Sequence, residues 1–333
     1  MATHRDLILD QFSRQALPFS ASAMINDKDA LKMIVDAARP GPKDTVLDVA
    51  CGPGLVVCAF APYAGRVIGI DMTPAMLDRA GRFAAEQGVR NVDWHQGDAY
   101  LLPYAAESFT IVVTRYSFHH MIDPAAALRE MARVCAAKGR IVVVDAYAPE
   151  DSDQAAEFNR VERLRDPSHV RSLSLLALRD MFGRVGLPEP RTTLYELRVE
   201  VRDLLARAFP NPGDEIEIVK TFRASAADGR LGIPIHLHGD NVHVTYRAAI
   251  LIACASVRFC NVPWLWLLEV RCAAMIVKLV SMSAFGTRRT CQWRLVMSAF
   301  GVKRTYLAQV AMSANDPKRT STALLRLIEL ITG

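Results

Sequence analysis

The sequence predicts an α/β fold built on a doubly wound, mostly parallel sheet. Short apolar segments alternate with amphipathic helical segments, which is typical of βαβ units. The apolar segments are continuous runs rich in Val and Ile, and such runs indicate strands that are covered on both faces. In sheets of this kind, ligands bind beyond the carboxyl ends of the strands.

The first half of the chain holds five predicted strands. They are Thr45–Ala50, Arg66–Asp71, Asn91–Gln96, Phe109–Thr114 and Arg140–Asp145. The helices predicted before and between them are Asp6–Phe19, Asp27–Ala38, Val56–Ala61, Pro74–Gln87 and Pro124–Cys135. After Ala146 we expect helices at Asp151–Arg165 and Ser174–Val185, strands at Thr192–Val201 and His243–Ala253, and a largely helical excursion at Asp203–Ala227.

The basic excess of the chain lies near its end. Residues 249–333 hold eleven of the 40 Lys and Arg residues but three of the 35 Asp and Glu residues, so the net charge of +5 does not characterise the rest of the chain. Three imperfect copies, Ser281–Thr290, Val296–Thr305 and Ala311–Thr320, recur there every 15 residues. This spacing matches no solenoid or supercoil repeat, so we expect 256–333 to lie outside the catalytic fold. A basic patch for nucleic acid or membrane is the alternative.

Cysteine spacing and apolar run lengths favour a cytoplasmic protein. The seven cysteines include no CxxC pair and form no disulfide framework. No secretory signal is visible, and charged residues interrupt every apolar run short of the ~18 residues of a membrane span. We expect a small-molecule partner and no nucleic acid, and the oligomeric state stays open.

A Gly-rich turn follows the first strand. Asp48 lies near the end of that strand, and Gly52 and Gly54 precede the next helix. The two glycines lack the Cβ atoms that would keep a ligand from the backbone, and the helix start offers free N–H groups to a carboxylate. Asp48 offers the opposite charge to an ammonium group, so the turn fits the methionine end of a cofactor.

The next two strands also lead into carboxylates. Asp71 can accept hydrogen bonds from both hydroxyls of a ribose, and Asp98 from an exocyclic amine such as that of adenine. Met72 offers an apolar face to the ring. Each carboxylate alone could be a helix cap or loop residue. Three of them at one sheet edge, beside a Gly-rich turn, favour a nucleoside site.

Four motifs carry a resemblance to a known family: VLDVACGPG, VIGIDMTPAML, GDAYLLPY and FTIVVTRYSFHHMIDP. With them the chain resembles class I S-adenosylmethionine-dependent methyltransferases, from about Asp10 to Ala255. The similar branch includes the ubiquinone/menaquinone-biosynthesis C-methyltransferases. The resemblance implies a Rossmann-like sheet of seven strands with a reversed last strand. It also implies S-adenosylmethionine as cofactor and a small, lipophilic or aromatic methyl acceptor.

The resemblance also implies roles for individual residues. Asp48, Gly52 and Gly54 would hold the methionine portion, Asp71 the ribose, Asp98 with Ala99 the adenine, and the backbone near Thr114 and Arg115 the methionine ammonium. Many members have glycine where this chain has Ala50, and we expect a slightly shifted turn there. We expect three parts: an N-terminal helical cap (1–43), the methyltransferase domain (44–255) and the basic repeat-containing tail (256–333).

Two histidines are the candidate catalytic residues. His119 and His120 follow the fourth strand and should lie near the sulfonium end of the cofactor. A base is needed only if the acceptor must lose a proton, and the sequence does not choose between the two. Phe12 and Phe19 lie in a helix that could cover the site as a lid. The segment Leu164–Arg171 is either part of an acceptor pocket or a capped turn.

The remaining alternatives concern other ligands. His236, His238 and His243 do not predict a metal site, because Gly239–Asn241 between them has the composition of a hairpin turn. A nicotinamide-dependent oxidoreductase is disfavoured because Val57 replaces the third glycine of its G-x-G-x-x-G pattern. A cofactor-binding protein without catalysis remains open from the motifs alone.

Overall fold

The computed structural model describes residues 3–255, which form an eight-stranded sheet with packed helices. The strands are β1 (Thr45–Val49), β2 (Arg66–Asp71), β3 (Val92–Gln96), β4 (Phe109–Arg115), β5 (Cys135–Ala146), β6 (Arg191–Glu200), β7 (Ile235–His238) and β8 (Asn241–Cys254). Their spatial order is β3-β2-β1-β4-β5-β8-β6, with β7 paired to β8. Strands β1 to β5 run parallel, and β8 is antiparallel to β5, β6 and β7. The predicted fold class and reversed last strand are confirmed.

Strand β7 is one short strand more than predicted, and it arises from the predicted hairpin. His238 pairs with Asn241, so Gly239 and Asp240 form a two-residue turn between β7 and β8. Gly239 has a φ of 60°, a left-handed conformation that such turns require.

Within residues 3–255, no group of three or more His, Cys, Asp or Glu residues could hold a metal ion.

Nine helices and one 3-10 helix connect the strands of the described part of the chain. They are α1 (His4–Ala21), α2 (Lys28–Ala38), α3 (Leu55–Phe60), α4 (Pro74–Glu86), the 3-10 helix Phe118–His120, α5 (Pro124–Val134), α6 (Ser152–Arg165), α7 (Leu175–Arg184), α8 (Val201–Ala206) and α9 (Asp214–Asp228). The predicted excursion at Asp203–Ala227 is two helices, because Pro210 and Pro212 lie between α8 and α9. None of these helices is long and apolar enough to cross a membrane. The predictions for 256–333 lie outside the described residues.

The central strands β1, β2 and β4 are buried on both faces of the sheet. Leu47 of β1 and Val112 of β4 pack in one core cluster with residues of α5 and α7. Their neighbours Val46 and Ile111 pack in another cluster with residues of α2 and α3. Because successive side chains of a strand point to opposite faces, a strand covered twice must be apolar throughout. This explains the continuous Val and Ile runs.

Candidate active site

The turn from β1 into α3 has left-handed backbone at three positions. The φ angles are 56° at Ala50, 53° at Gly52 and 82° at Gly54. Glycine adopts such angles without steric cost, whereas an L side chain at Ala50 is strained there. The structure therefore places Ala50 in a left-handed conformation, which glycine would adopt freely.

Replacing Ala50 by glycine should stabilise the protein. Relief of the left-handed strain, which is worth about 1–2 kcal/mol, exceeds the about 0.5–1 kcal/mol by which glycine's greater freedom favours the unfolded chain. We expect Ala50→Gly to raise the free energy of unfolding in urea by about 0.5 kcal/mol, from the difference of those two terms. The control is Ala85→Gly at the exposed end of α4, which should lower the free energy of unfolding by at most about 1 kcal/mol, the cost of glycine in a helix interior. A loss of stability in Ala50→Gly would contradict the prediction.

Gly54 is required by packing. A Cβ atom on it would lie 2.5 Å from Cη2 of Trp94 and 3.0 Å from Cβ of Ala80. The glycine therefore lets the start of α3 approach β3 and α4 closely. Gly54 does not line the cavity described next, and its contact with a cofactor stays a prediction.

A cavity of about 270 Å³ opens beyond the carboxyl ends of β1, β2 and β4. The predicted residues that line it are Asp48, Ala50, Gly52, Asp71, Met72, Asp98, Ala99, Arg115 and His120. Helix α1 contributes His4, Arg5, Ile8, Phe12 and Phe19 to the same wall. We call this space the cofactor cavity. Phe12 and Phe19 lie where the predicted lid should be, and Arg5 is a residue that the sequence motifs did not indicate.

Two buried groups of opposite charge on this wall have unsatisfied hydrogen-bonding atoms. Both carboxylate oxygens of Asp48 are buried without a hydrogen-bond partner within residues 3–255. Burial, together with the nearby Asp71, raises the pKa of Asp48 well above its ordinary value, and Arg115 opposes the rise. Nε and Nη2 of Arg115 are likewise buried without a partner in that part of the chain, while Nη1 donates to the carbonyl oxygen of Ile25 at 2.8 Å.

These orphaned charges fit an amino-acid group. An ammonium can be held by Asp48 and a carboxylate by the free side of the Arg115 guanidinium. Leaving both unpaired is costly, so a bound zwitterion would repay the burial of each. The sequence predicted only backbone near Arg115 for this purpose, whereas the structure brings its side chain to the cavity as well.

Asp71 shapes the turn that it faces. Its Oδ2 accepts from the N–H of Gly52 at 2.9 Å, and its Oδ1 accepts from the N–H of Thr73 at 2.8 Å. Burial raises the pKa of Asp71, and these hydrogen bonds limit the rise. The carboxylate thus ties β2 to the Gly-rich turn while it lines the cofactor cavity, which is the position expected for a ribose ligand.

Asp98 and Thr114 differ in exposure and contacts. Oδ1 of Asp98 accepts from the N–H of Tyr100 at 2.9 Å, and Oδ2 lies 3.3 Å from Nη1 of Arg5 in α1. An adenine amine would therefore meet a carboxylate that α1 already contacts. Thr114 is buried, and its hydroxyl donates to the carbonyl oxygen of Val49 at 2.6 Å. Thr114 supports the ends of β1 and β4 and does not line the cavity.

A second cavity, of about 70 Å³, adjoins the cofactor cavity. The two share the wall residues Phe12, Phe19, Ile25, Tyr116 and His120. The second cavity alone is lined by His119, Phe158 and a set of polar residues that lie in α1, α6 and β8 or in the segments after α6 and α8. Arg165 and Asp166, from the predicted segment Leu164–Arg171, belong to this set. We call this space the inner cavity.

The structure distinguishes the two histidines. Nδ1 of His119 donates to Oδ1 of Asp145 at 2.6 Å, and the backbone N–H of His119 donates to Oδ2 of Asp145 at 3.2 Å. Burial alone would lower the pKa of His119, but the carboxylate of Asp145 raises it above the ordinary value. Burial and the neighbouring His119 lower the pKa of His120 to about 4. His119 is thus the stronger base, and Asp145 fixes the tautomer that leaves its Nε2 free to accept a proton.

Asp145 ends the predicted fifth strand, but nothing in the motifs linked it to His119. The link comes from sheet register, because Thr114 and Arg115 of β4 pair with Val143 and Val144 of β5. The 3-10 helix after β4 therefore begins beside the end of β5. The sequence signal that could have linked the two residues is a carboxylate at the end of the strand that neighbours the histidine-bearing strand.

The fold and the cavity wall define a Rossmann-like protein whose site fits a zwitterionic nucleoside cofactor. A family described as a methyltransferase domain matches residues 47–143. The uncharacterised methyltransferase YcgJ of Bacillus subtilis is 36% identical over 242 residues, which cover 72% of this chain and 96% of YcgJ. Its crystal structure superposes with a TM-score of 0.64 at 32% identity, covering 68% of this chain and 98% of that one.

A relative with a named substrate matches a shorter part. The 2-phytyl-1,4-naphtoquinone methyltransferase of Synechococcus elongatus is 33% identical over 117 residues, which cover 34% of this chain and 49% of that protein. The chain belongs to the class I S-adenosylmethionine-dependent methyltransferases. It is an enzyme that uses S-adenosylmethionine, and the nicotinamide-dependent and non-catalytic alternatives are set aside.

Proposed function

We propose that this enzyme methylates a small aromatic or lipophilic acceptor whose nucleophilic atom must lose a proton. The observation that carries the proposal is the position of the His119–Asp145 pair on an inner cavity that shares a wall with the cofactor cavity. The aromatic side chains Phe12, Phe19 and Phe158 on that inner cavity favour an acceptor with an apolar body. The similarity to a naphtoquinone methyltransferase supports the same class.

We assign the parts of the cofactor to residues that line the cofactor cavity. Asp48 and Arg115 would hold the methionine end, Asp71 the ribose, and Asp98 with Ala99 the adenine, while Met72 covers the ring. When bound, S-adenosylmethionine supplies an electrophilic methyl group on a sulfonium. The part that catalyses would span 44–255, with the helices of 1–43 covering it.

The acceptor side works through proton transfer and positioning. Nε2 of His119 takes the proton of the acceptor, and Asp145 stabilises the imidazolium that forms. His120 stays neutral near pH 7 and forms part of the wall between the two cavities. Phe12 and Phe19 exclude water from the space where acceptor and methyl group must meet at ~3–3.5 Å in line.

The proposal is tested first by cofactor binding and then by methyl transfer. Calorimetric titration of the full chain should show saturable binding of S-adenosylmethionine and S-adenosylhomocysteine, and Asp71→Ala should abolish it. The control is Asp93→Ala on the neighbouring β3, where an exposed ion pair with Arg66 at 2.8 Å is lost and binding should persist. A folded wild-type protein that binds neither compound would overturn the cofactor assignments.

The acceptor class is tested with methyl-labelled cofactor and a panel of phenols, quinols and naphthoquinols, each with and without a carboxylate. We expect label transfer to at least one member, with turnover lost in His119→Gln. A protein that binds the cofactor but methylates no member of the panel would contradict the acceptor class and leave the cofactor assignments intact.

A further inference from the structure

The polar groups of the inner cavity are mostly paired with each other. Oε2 of Glu162 accepts from Nη2 of Arg165 at 2.7 Å, and its Oε1 accepts from the hydroxyl of Tyr246 at 2.8 Å. Oδ1 of Asp166 accepts from the hydroxyl of Ser168 at 2.6 Å, and Oδ2 accepts from Nε2 of Gln15 at 3.0 Å. Both carboxylates and the Arg165 cation are therefore satisfied by protein groups.

Arg207 differs from this network. It lies directly after α8, is 8% exposed and lines the inner cavity. Its Nη2 faces the thioether sulfur of Met24 at 3.5 Å, and its Nε is buried without a hydrogen-bond partner within residues 3–255. Burial and the nearby Arg165 lower the pKa of Arg207 to about 10, so the group is still a cation at neutral pH.

A buried guanidinium without a carboxylate partner is costly unless a ligand supplies one. A planar carboxylate accepts two parallel N–H bonds from guanidinium, which makes it the best match in shape and charge. The apolar side chains Phe158, Leu197 and Leu204 line the same cavity and suit the remainder of such a ligand. The two carboxylates and the two guanidinium groups of the described wall balance in charge, and Arg207 is the guanidinium that no carboxylate hydrogen-bonds.

We propose that the acceptor carries a carboxylate that binds Arg207 in the inner cavity, with an apolar or aromatic body beside it. This assignment rests on the proposed function, because it takes the inner cavity as the acceptor site. It narrows the acceptor class to small amphipathic acids and makes Arg207 the residue that selects them. Neutral analogues lose the charge-assisted contact and leave the guanidinium buried and unpaired.

Benzoate and its neutral isostere benzamide are the probes for this site. Each is titrated calorimetrically into the full chain saturated with S-adenosylhomocysteine, so that the cofactor cavity and Arg115 are occupied. We expect wild-type protein to bind benzoate saturably and Arg207→Met to bind it about 10- to 100-fold more weakly, as for loss of one charge-assisted hydrogen-bonded pair. Benzamide should bind weakly and equally to both proteins.

The matched control is Arg202→Met, because Arg202 lies exposed on α8, the helix that Arg207 directly follows. It removes the same charge and should leave benzoate affinity unchanged. Arg207→Met replaces an unpaired buried cation by an apolar chain of similar length, so we expect it to fold with undiminished stability. Equal benzoate affinity in wild type and Arg207→Met, or no saturable binding by wild type in the millimolar range, would overturn the assignment. Failure of S-adenosylhomocysteine to bind would instead overturn the proposed function.

Discussion

Asp48→Asn is expected to weaken S-adenosylhomocysteine binding about 10- to 100-fold, because the ammonium loses a charged partner in a buried site. The substitution keeps the size of the side chain and one acceptor oxygen, so the geometry of β1 and the turn should persist. The measurement is calorimetric titration of the full chain. An affinity within threefold of wild type would show that Asp48 does not hold the ammonium.

The same substitution should leave the free protein at least as stable as wild type. The pKa of Asp48 is higher in the folded protein than in the unfolded chain, so the native state retains the proton over a pH range where the unfolded chain has lost it. Stability from this group is therefore present at low pH and lost as the pH rises above the unfolded value of about 3.9. Asparagine does not titrate. The stability of Asp48→Asn relative to wild type should increase from about pH 4 upward, measured by urea unfolding without cofactor.

Asp44→Asn is the matched control. Its effects on protein stability and on affinity for S-adenosylhomocysteine should be the opposite of those of Asp48→Asn. Asp44 directly precedes β1, where its Oδ1 accepts from Nη2 of Arg140 at 2.7 Å and its Oδ2 accepts from the N–H of Gly41 at 2.7 Å. Its carboxylate is satisfied and does not line the cofactor cavity. The control should lose stability and keep its affinity for S-adenosylhomocysteine. A loss of affinity in both variants would point to a general loosening of β1.

The sheet and the cofactor edge could be predicted because they depend on local sequence. Continuous Val and Ile runs define strands that are covered twice, and glycines and carboxylates directly after the strands mark the ligand edge. Asp48, Asp71 and Asp98 all line one cavity for this reason. Gly54 belongs to the same motif, but its requirement comes from Trp94, which is distant in sequence. A motif therefore identifies a site without showing which of its residues contact the ligand.

The acceptor side could not be predicted in the same way, because its residues meet through tertiary packing. Asp145 reaches His119 through the register of β4 and β5, and Arg207 lies beyond α8, far along the chain from every motif. Arg5 of α1 contacts Asp98 across 93 positions of sequence. No local sequence pattern marks any of these residues. They become visible only when burial and unsatisfied hydrogen bonds can be read from the structure.

Replacing His119 is expected to have the largest effect on turnover. His119→Gln removes the base and should lower kcat about 100- to 10,000-fold while cofactor affinity is kept. Since the base acts in its neutral form, the wild-type rate should rise with pH through the pKa of His119, which Asp145 places above 6.5. In Asp145→Asn the effect of burial on the pKa of His119 is opposed only by the weaker charge effect of Glu162. The pKa of His119 should therefore fall, and the rising limb should move to lower pH.

Titration of the histidine ring signals by NMR tests this shift without an acceptor, with the His119 signal assigned by its absence in His119→Gln. His120→Gln serves as the control, because the pKa of His120 is about 4 and its loss should not remove the limb near neutral pH. It should instead raise the KM, since His120 lies in the wall between the two cavities. A His119 pKa that is unchanged in Asp145→Asn would refute the pairing. If the rise of the rate with pH is instead lost in His120→Gln, His120 is the base.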